Sequence, residues 1–274
     1  MWTLPLPSCT AATAYDTCIQ GIQDTKKKER FTTALAEVLR ADNAYQAAGA
    51  QQDFGIYLLT DSAASVLRPG DMSWLYEHRM VNSKPGRAIY DQILRATPHG
   101  KCPLCGHRQV RTLDHYLPKS AHPALAVNPA NLIPACGDCN HDKLDTTADT
   151  LHPYYDDIDG AQWLRARVLM GNVPAVEFFV DTPAAWSSWL ADRVNGHFKL
   201  FKLGMLYANE AAEELSGNWR LCATVYAEAK ADGVRAFLVG HADSRRAHRR
   251  NWWPTALYDA LAASDWYCDG GFRF

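Results

Sequence analysis

KCPLCGHRQVRTLDHYLPKSAHPALAVNPANLIPACGDCNHDKLD, residues 101–145, carries two Cys-x-x-Cys pairs, Cys102/Cys105 and Cys136/Cys139. Each pair spans adjacent corners of a tetrahedron, and the segment between them is long enough to double back and close the set, so the spacing predicts one structural zinc. The bracketed residues Asp114, His115, Asn131, Asn140 and Lys143 suit other chemistry. Asp, His and Asn are hard or borderline ligands and acid–base groups, which points to a second, catalytic metal beside the thiolate one.

At these residues the stretch resembles an HNH endonuclease of the treble-clef, ββα-metal kind. The correspondence runs through the knuckle Cys102-Pro-Leu-Cys105, then Asp114-His115 closing a first strand and Asn131 before the return strand. It ends on Cys136-Gly-Asp-Cys139-Asn140 opening a helix, with Lys143 three residues on. The final letter is Asn140 rather than His, a variant the family also uses. The resemblance covers about 45 of the 274 residues.

The resemblance implies His115 as general base, Asn131 holding the loop that orients its ring, and Asp114 and Asn140 as ligands of a divalent cation, Mg2+ or else Mn2+ or Ni2+. Lys143, Lys119 and Arg111 are then expected on substrate phosphates. His141 is an alternative to Asn140, whereas His107, His122 and His152 are expected to be structural. Duplex DNA is the expected substrate, with RNA the alternative within nucleases. A zinc finger that binds without catalysis is the alternative outside them.

The chain has 28 basic and 30 acidic residues, 47% hydrophobic content and nine tryptophans. It can therefore bury a real core, and its near-neutral charge excludes coating nucleic acid by bulk charge. Contact with a polyanion needs local patches. Between residues 84 and 119 there are seven basic residues (Lys84, Arg87, Arg95, Lys101, Arg108, Arg111, Lys119) against two acidic ones, a stretch suited to phosphate contacts. The remaining four of the eight cysteines are scattered, which favours metal over disulfides and a reducing cytoplasm. Neither a signal peptide nor a membrane span is expected.

Residues 1–24 read as an arm either laid on the surface or pinned by Trp2 and Leu4. Phe31, Ala34, Leu35, Val38 and Leu39 form a helical stripe capped by Asp24 or Thr25; the lysine run 26–28 beside it is a solvated face or a nucleic-acid contact. Short helices follow over 62–67 and after a cap at Asp71, with His78 structural, and another opens at Ser83-Lys84-Pro85. The free amides of a helix begun near Cys139 are expected to face an anionic phosphate. Six aspartates in residues 142–159 mark an acidic boundary. A hairpin turning at Gly171-Asn172 comes next, then a helix begun at Thr182-Pro183 and ended at Asn195-Gly196, and further helices up to Arg245, Arg246, His248, Arg249 and Arg250. That cluster reads equally as a polyanion contact or as a helix end packed on aromatics, with contact to a partner protein as a third reading.

The expectation is an α+β, mainly helical chain. It comprises a helical region 1–97, the zinc-finger nuclease core 98–150, and a β-hairpin with helices over 151–274. This layout is similar to HNH nucleases of bacterial anti-phage systems of the Septu type, which implies a protein partner such as an ATPase.

Overall fold

A computed structural model describes residues 1–55, 67–68, 70–144 and 150–273. The helix expected over 62–67 falls almost wholly outside the described residues, as does 145–149 of the acidic boundary. Among the described residues the chain is mainly helical with two small antiparallel sheets of two strands each, an α+β composition as expected. It divides into two compact units, Met1–Asp157 and Ile158–Phe274. Among the described residues no helix is long and apolar enough to cross a membrane.

The first unit begins with α1 (Ala11–Gln20), which the sequence reading took for part of an arm. Its buried face is Ala14, Tyr15, Cys18 and Ile19, small or mixed residues that give a faint periodic signal, and Thr10 caps it by accepting from Thr13 N–H at 3.2 Å. The arm ahead of it is pinned, the second of the two arrangements the sequence allows. Trp2 N–H donates to the Pro103 carbonyl at 2.7 Å and Leu4 N–H to that of Pro153 at 2.8 Å.

Helix α2 (Thr25–Ala50) starts under the Asp24 cap, whose carboxylate accepts from Lys27 N–H at 3.0 Å. The Lys27 ammonium sits 3.1 Å over the Trp74 ring, so this member of the lysine run packs on an aromatic face. Helix α3 (Asp71–Leu75) is preceded by Gly70 in the left-handed region, and Asp71 is inside the helix rather than at its cap. Its carboxylate instead accepts from Arg68 N–H at 3.1 Å and pairs with Arg30 at 3.4 Å. The chain continues as a π-helical turn, Tyr76–Val81, and then α4 (Lys84–Leu94) under a Ser83 cap.

One core serves these helices and the hairpin β1 (Thr112–His115) and β2 (Leu132–Ala135): Tyr15, Phe31, Leu75, Met80 and Ile93 are buried together with Leu113 and Leu132. The segments 1–97 and 98–150 thus share their apolar interior. At about 1.5–3 kcal/mol per fully buried large apolar side chain, this shared burial is what seats a hairpin of two four-residue strands.

In the second unit, β3 (Leu164–Leu169) pairs with β4 (Ala175–Val180) about the expected turn. Helix α6 (Ser188–Leu200) begins five residues beyond Pro183, under a Ser187 cap, and runs straight through Asn195-Gly196. A mid-helix glycine costs about 1 kcal/mol, too little to end a helix whose Val194 and His197 are buried. The two helices expected next are one long element, α7 (Leu203–His248), interrupted only at Lys230, where φ is +56°. Helix α8 (Trp253–Ala263) packs along it.

The arginine cluster resolves in favour of packing. Arg245 lies 4.3 Å over the Tyr258 ring and 3.5 Å from Glu214, Arg246 pairs with Asp243 and Asp259, and Arg250 donates to the Asp159 and Gly160 carbonyls.

Gly86 sits where α4 crosses the π-helical turn: a Cβ there would lie 1.9 Å from the Arg79 carbonyl oxygen. Gly86→Ala is therefore expected to destabilise the chain by about 1–3 kcal/mol, read as a lowered Tm. A variant that melts with the wild type would show that α4 separates from the turn at no cost.

Candidate metal centre and active site

The first cysteine pair is shaped by a tight turn. Cys102 N–H donates to the Arg108 carbonyl at 2.8 Å and Gly106 N–H to that of Cys102 at 2.7 Å. Gly106 takes φ +65°, and its missing side chain admits the Trp2 indole, whose Nε1 would lie 2.7 Å from a Cβ. The second pair is delivered by β2. Cys136 caps α5 (Gly137–Lys143), its Sγ accepting from Cys139 N–H at 3.4 Å, while Cys105 Sγ accepts from Arg108 N–H at 3.4 Å. An Arg108–Asp138 pair at 2.7 Å ties the turn to the helix.

All four sulfurs lie within 4.8 Å of one another, are buried, and form no disulfide. Tetrahedral zinc at about 2.3 Å from each sulfur puts the sulfurs ~3.8 Å apart, so donor type, spacing and amide contacts all fit. These residues can hold a metal such as zinc. The first turn of α5 faces this cluster, with its Cys139 amide bonded to sulfur, rather than offering amides to an anion as expected.

The hairpin places the polar residues. In the antiparallel register Asp114 faces Ile133 and His115 faces Leu132. The His115 Nε2 is 2.8 Å from the Ala126 carbonyl oxygen, and Tyr76 packs edge-on against the ring with centroids 4.5 Å apart. A carbonyl only accepts, so Nε2 carries the proton and Nδ1 keeps its lone pair. Burial pushes the imidazole pKa down to about 4, against the opposing Ala126 bond and with help from Lys119 and Lys143. His115 is thus a neutral base at ordinary pH.

Asn131 is fully buried and does not line the site cavity. Its Oδ1 accepts from Leu117 N–H at 2.8 Å, and its Nδ2 donates to the carbonyls of Leu117 at 3.0 Å and Leu125 at 3.4 Å. It pins both ends of the loop that carries Ala126, which makes it a positioning residue for His115.

A cavity of about 370 Å3 opens beside the hairpin, lined by Tyr76, Asp114, His115, Lys119, Asn140 and His141 among others. Asp114 and Asn140 place a carboxylate and an amide on one cavity. Mg2+ sites use such a set, one or two protein oxygens completed by water and substrate phosphate. Both Asn140 and the alternative His141 reach it. Lys119 is held by Glu77 at 2.8 Å and lies 5.0 Å from the Tyr76 ring centroid.

Two expected phosphate contacts are placed elsewhere. Lys143 is 3% exposed, its ammonium donating to the His115 carbonyl at 2.6 Å and pairing with Asp114 at 3.3 Å. It faces inward because α5 packs on β1, so one turn beyond Asn140 is the buried side. Arg111 is exposed but does not line the cavity; its N–H extends the ladder to the Ala135 carbonyl at 2.8 Å. In the basic stretch, Arg87 and Arg95 pair with Asp91 and Arg108 with Asp138, so several of its charges are balanced locally.

Tyr76 and Glu77 are site residues that sequence reasoning missed, because nothing marks the π-helical turn as a neighbour of Asp114-His115. His78 stacks on Trp74 at 5.1 Å, and His152 lies 4.2 Å from Tyr116 and 5.1 Å from Phe54 in an aromatic cluster, structural as expected.

Fold and site together define an α+β chain with a four-cysteine cluster that can hold a metal, next to a polar, histidine-bearing cavity. The chain belongs to the family of protein ea31 of Escherichia phage lambda, with which it is 31% identical over 232 residues, 79% of this chain and 78% of that protein. No protein-family model and no solved structure matches it.

Elemental analysis is expected to find one zinc per chain and none in Cys136→Ser; full zinc in the variant would refute the four-sulfur site. Asn131→Ala should speed hydrogen exchange across 117–131 and cost about 1–3 kcal/mol for each polar group left unsatisfied, with zinc retained. Unchanged exchange would show that the loop holds itself.

Proposed function

We propose that the chain is a metal-dependent HNH endonuclease, its residues 101–144 forming a treble-clef ββα-metal unit that hydrolyses phosphodiester bonds in duplex DNA. The observation that carries the reading is His115: a buried, neutral imidazole fixed through Nε2 on a carbonyl, lining one cavity with Asp114 and Asn140. A structural role for His115 alone would not call for the two oxygen donors beside it.

In this reading Nδ1 of His115 takes the proton of a water as its oxygen attacks phosphorus and the bond to the leaving 3′ oxygen breaks. Asp114 and Asn140 would hold the divalent cation, which supplies charge stabilisation to the phosphoryl and leaving oxygens. Asn131 acts through the loop, keeping the Ala126 carbonyl in place and so the ring in one tautomer. Tyr76 closes one side of the imidazole and limits its rotation. Lys119, at the same cavity, can exchange Glu77 for a phosphate oxygen, because a surface ion pair is worth only about 0–1 kcal/mol. Lys143 has no phosphate role here.

By the layout already described, the nuclease acts in the cytoplasm as a defence effector with a protein partner such as an ATPase. Such a partner would bring the DNA that a near-neutral chain attracts poorly.

The test is cleavage of supercoiled plasmid, linear DNA and RNA with Mg2+ or Mn2+, by the chain alone and with its partner, comparing wild type with His115→Ala. Loss of the base is expected to slow cleavage by about 10²- to 10⁴-fold while zinc and DNA binding persist. Equal cutting, or equal protection of cells by a partner-complete system, would end the nuclease assignment.

A further inference from the structure

Lys143 bears on when the cation enters. Its ammonium is buried behind the cavity lining, 3.3 Å from the Asp114 carboxylate, and is anchored by the His115 carbonyl at 2.6 Å. With 3% of the residue exposed, it cannot swing to solvent without breaking the contact of α5 with β1. Asp114 is therefore already facing a positive charge before any metal arrives.

Among the described residues, the charged groups Asp114 and Lys119 line the cavity, Asp114 paired with Lys143 and Lys119 with Glu77, so each lining charge faces an opposite one. Affinity for a hard divalent ion is set largely by the charge of its ligands. A single carboxylate opposed by an ammonium offers such an ion little, whereas a phosphodiester brings both a negative charge and an oxygen ligand. Building on the nuclease reading, we propose that Lys143 is a positioning residue that tunes the site to take up its divalent cation together with a nucleic-acid phosphate rather than ahead of it. Cation and nucleic acid then raise each other's affinity by the same factor.

The experiment is a Mn2+ titration of the zinc-loaded full chain at pH 8, followed by the EPR signal of free Mn2+. It is run with and without a short duplex oligonucleotide, in a His115→Ala background so that the strand stays intact. The oligonucleotide is expected to tighten Mn2+ binding about tenfold or more. Adding Lys143→Met should tighten Mn2+ binding without oligonucleotide and shrink the oligonucleotide's effect, while Lys143→Arg, which keeps the charge, behaves as the parent. If Lys143→Met loses its zinc or its helical circular dichroism, the parent's own dependence on oligonucleotide decides. Mn2+ affinity that ignores an oligonucleotide shown to bind overturns the inference and leaves the nuclease reading standing. An oligonucleotide that neither binds nor is cut by the chain with His115 intact overturns both.

Discussion

Four thiol sulfurs gathered within 4.8 Å can, through a metal such as zinc, tie together pieces of chain that have little stability of their own. The hairpin has four residues per strand and α5 has seven residues, both below the length that sustains such elements in water. Thiolate–zinc binding in comparable modules is worth about 10–16 kcal/mol, far more than any hydrogen bond in the hairpin. The rest of the first unit adds a clamp of tyrosines. Tyr90 Oη accepts from Leu113 N–H at 3.1 Å, and Tyr154 Oη donates to the Leu132 carbonyl at 2.8 Å, one hydroxyl for each strand.

Rigidity at the sulfur cluster is passed to the polar cavity along two covalent leads. From Cys136 the helix carries Asn140 to the cavity and Lys143 to the underside of Asp114 and His115. From Cys105 the chain runs into β1 and so to the same two residues. The loop between the strands is the remaining freedom, and Asn131 removes it with three hydrogen bonds to main-chain groups. Buried polar groups cost free energy unless paired, so an asparagine that satisfies both amide ends in this way fixes one loop geometry and excludes its neighbours.

Much of this was legible in the sequence because the metal centre imposes spacing. Two Cys-x-x-Cys pairs announced the cluster; Asp114, His115 and Asn140, singled out by motif, line one cavity; Asn131 was expected to hold the loop. Periodicity located α2 and the β3–β4 hairpin, and cap residues located α4. What escaped depended on three-dimensional neighbours. Lys143 read as a phosphate contact because its position relative to Asn140 is known from the helix period, while which side of α5 meets β1 is not. Tyr76 and Glu77 come from a distant segment with no motif. Helix α1 was hidden by an alanine-rich face, and the end of α6 by a glycine that packing overrides. The arginine cluster looked available because its partners Glu214, Asp243 and Asp259 lie on two helices whose pairing the sequence does not state.

The nuclease proposal requires one small unit to hold two different metals, a thiolate-bound zinc that builds the site and an oxygen-bound cation that works in it. A crystal structure of the His115→Ala chain with Mn2+ and a duplex oligonucleotide, with diffraction collected at the zinc and manganese absorption edges, tests it most directly. The account predicts a zinc peak among Cys102, Cys105, Cys136 and Cys139 and a separate manganese peak between Asp114 and Asn140, against a phosphate oxygen. A cavity without manganese, or manganese bound away from both residues, would contradict it.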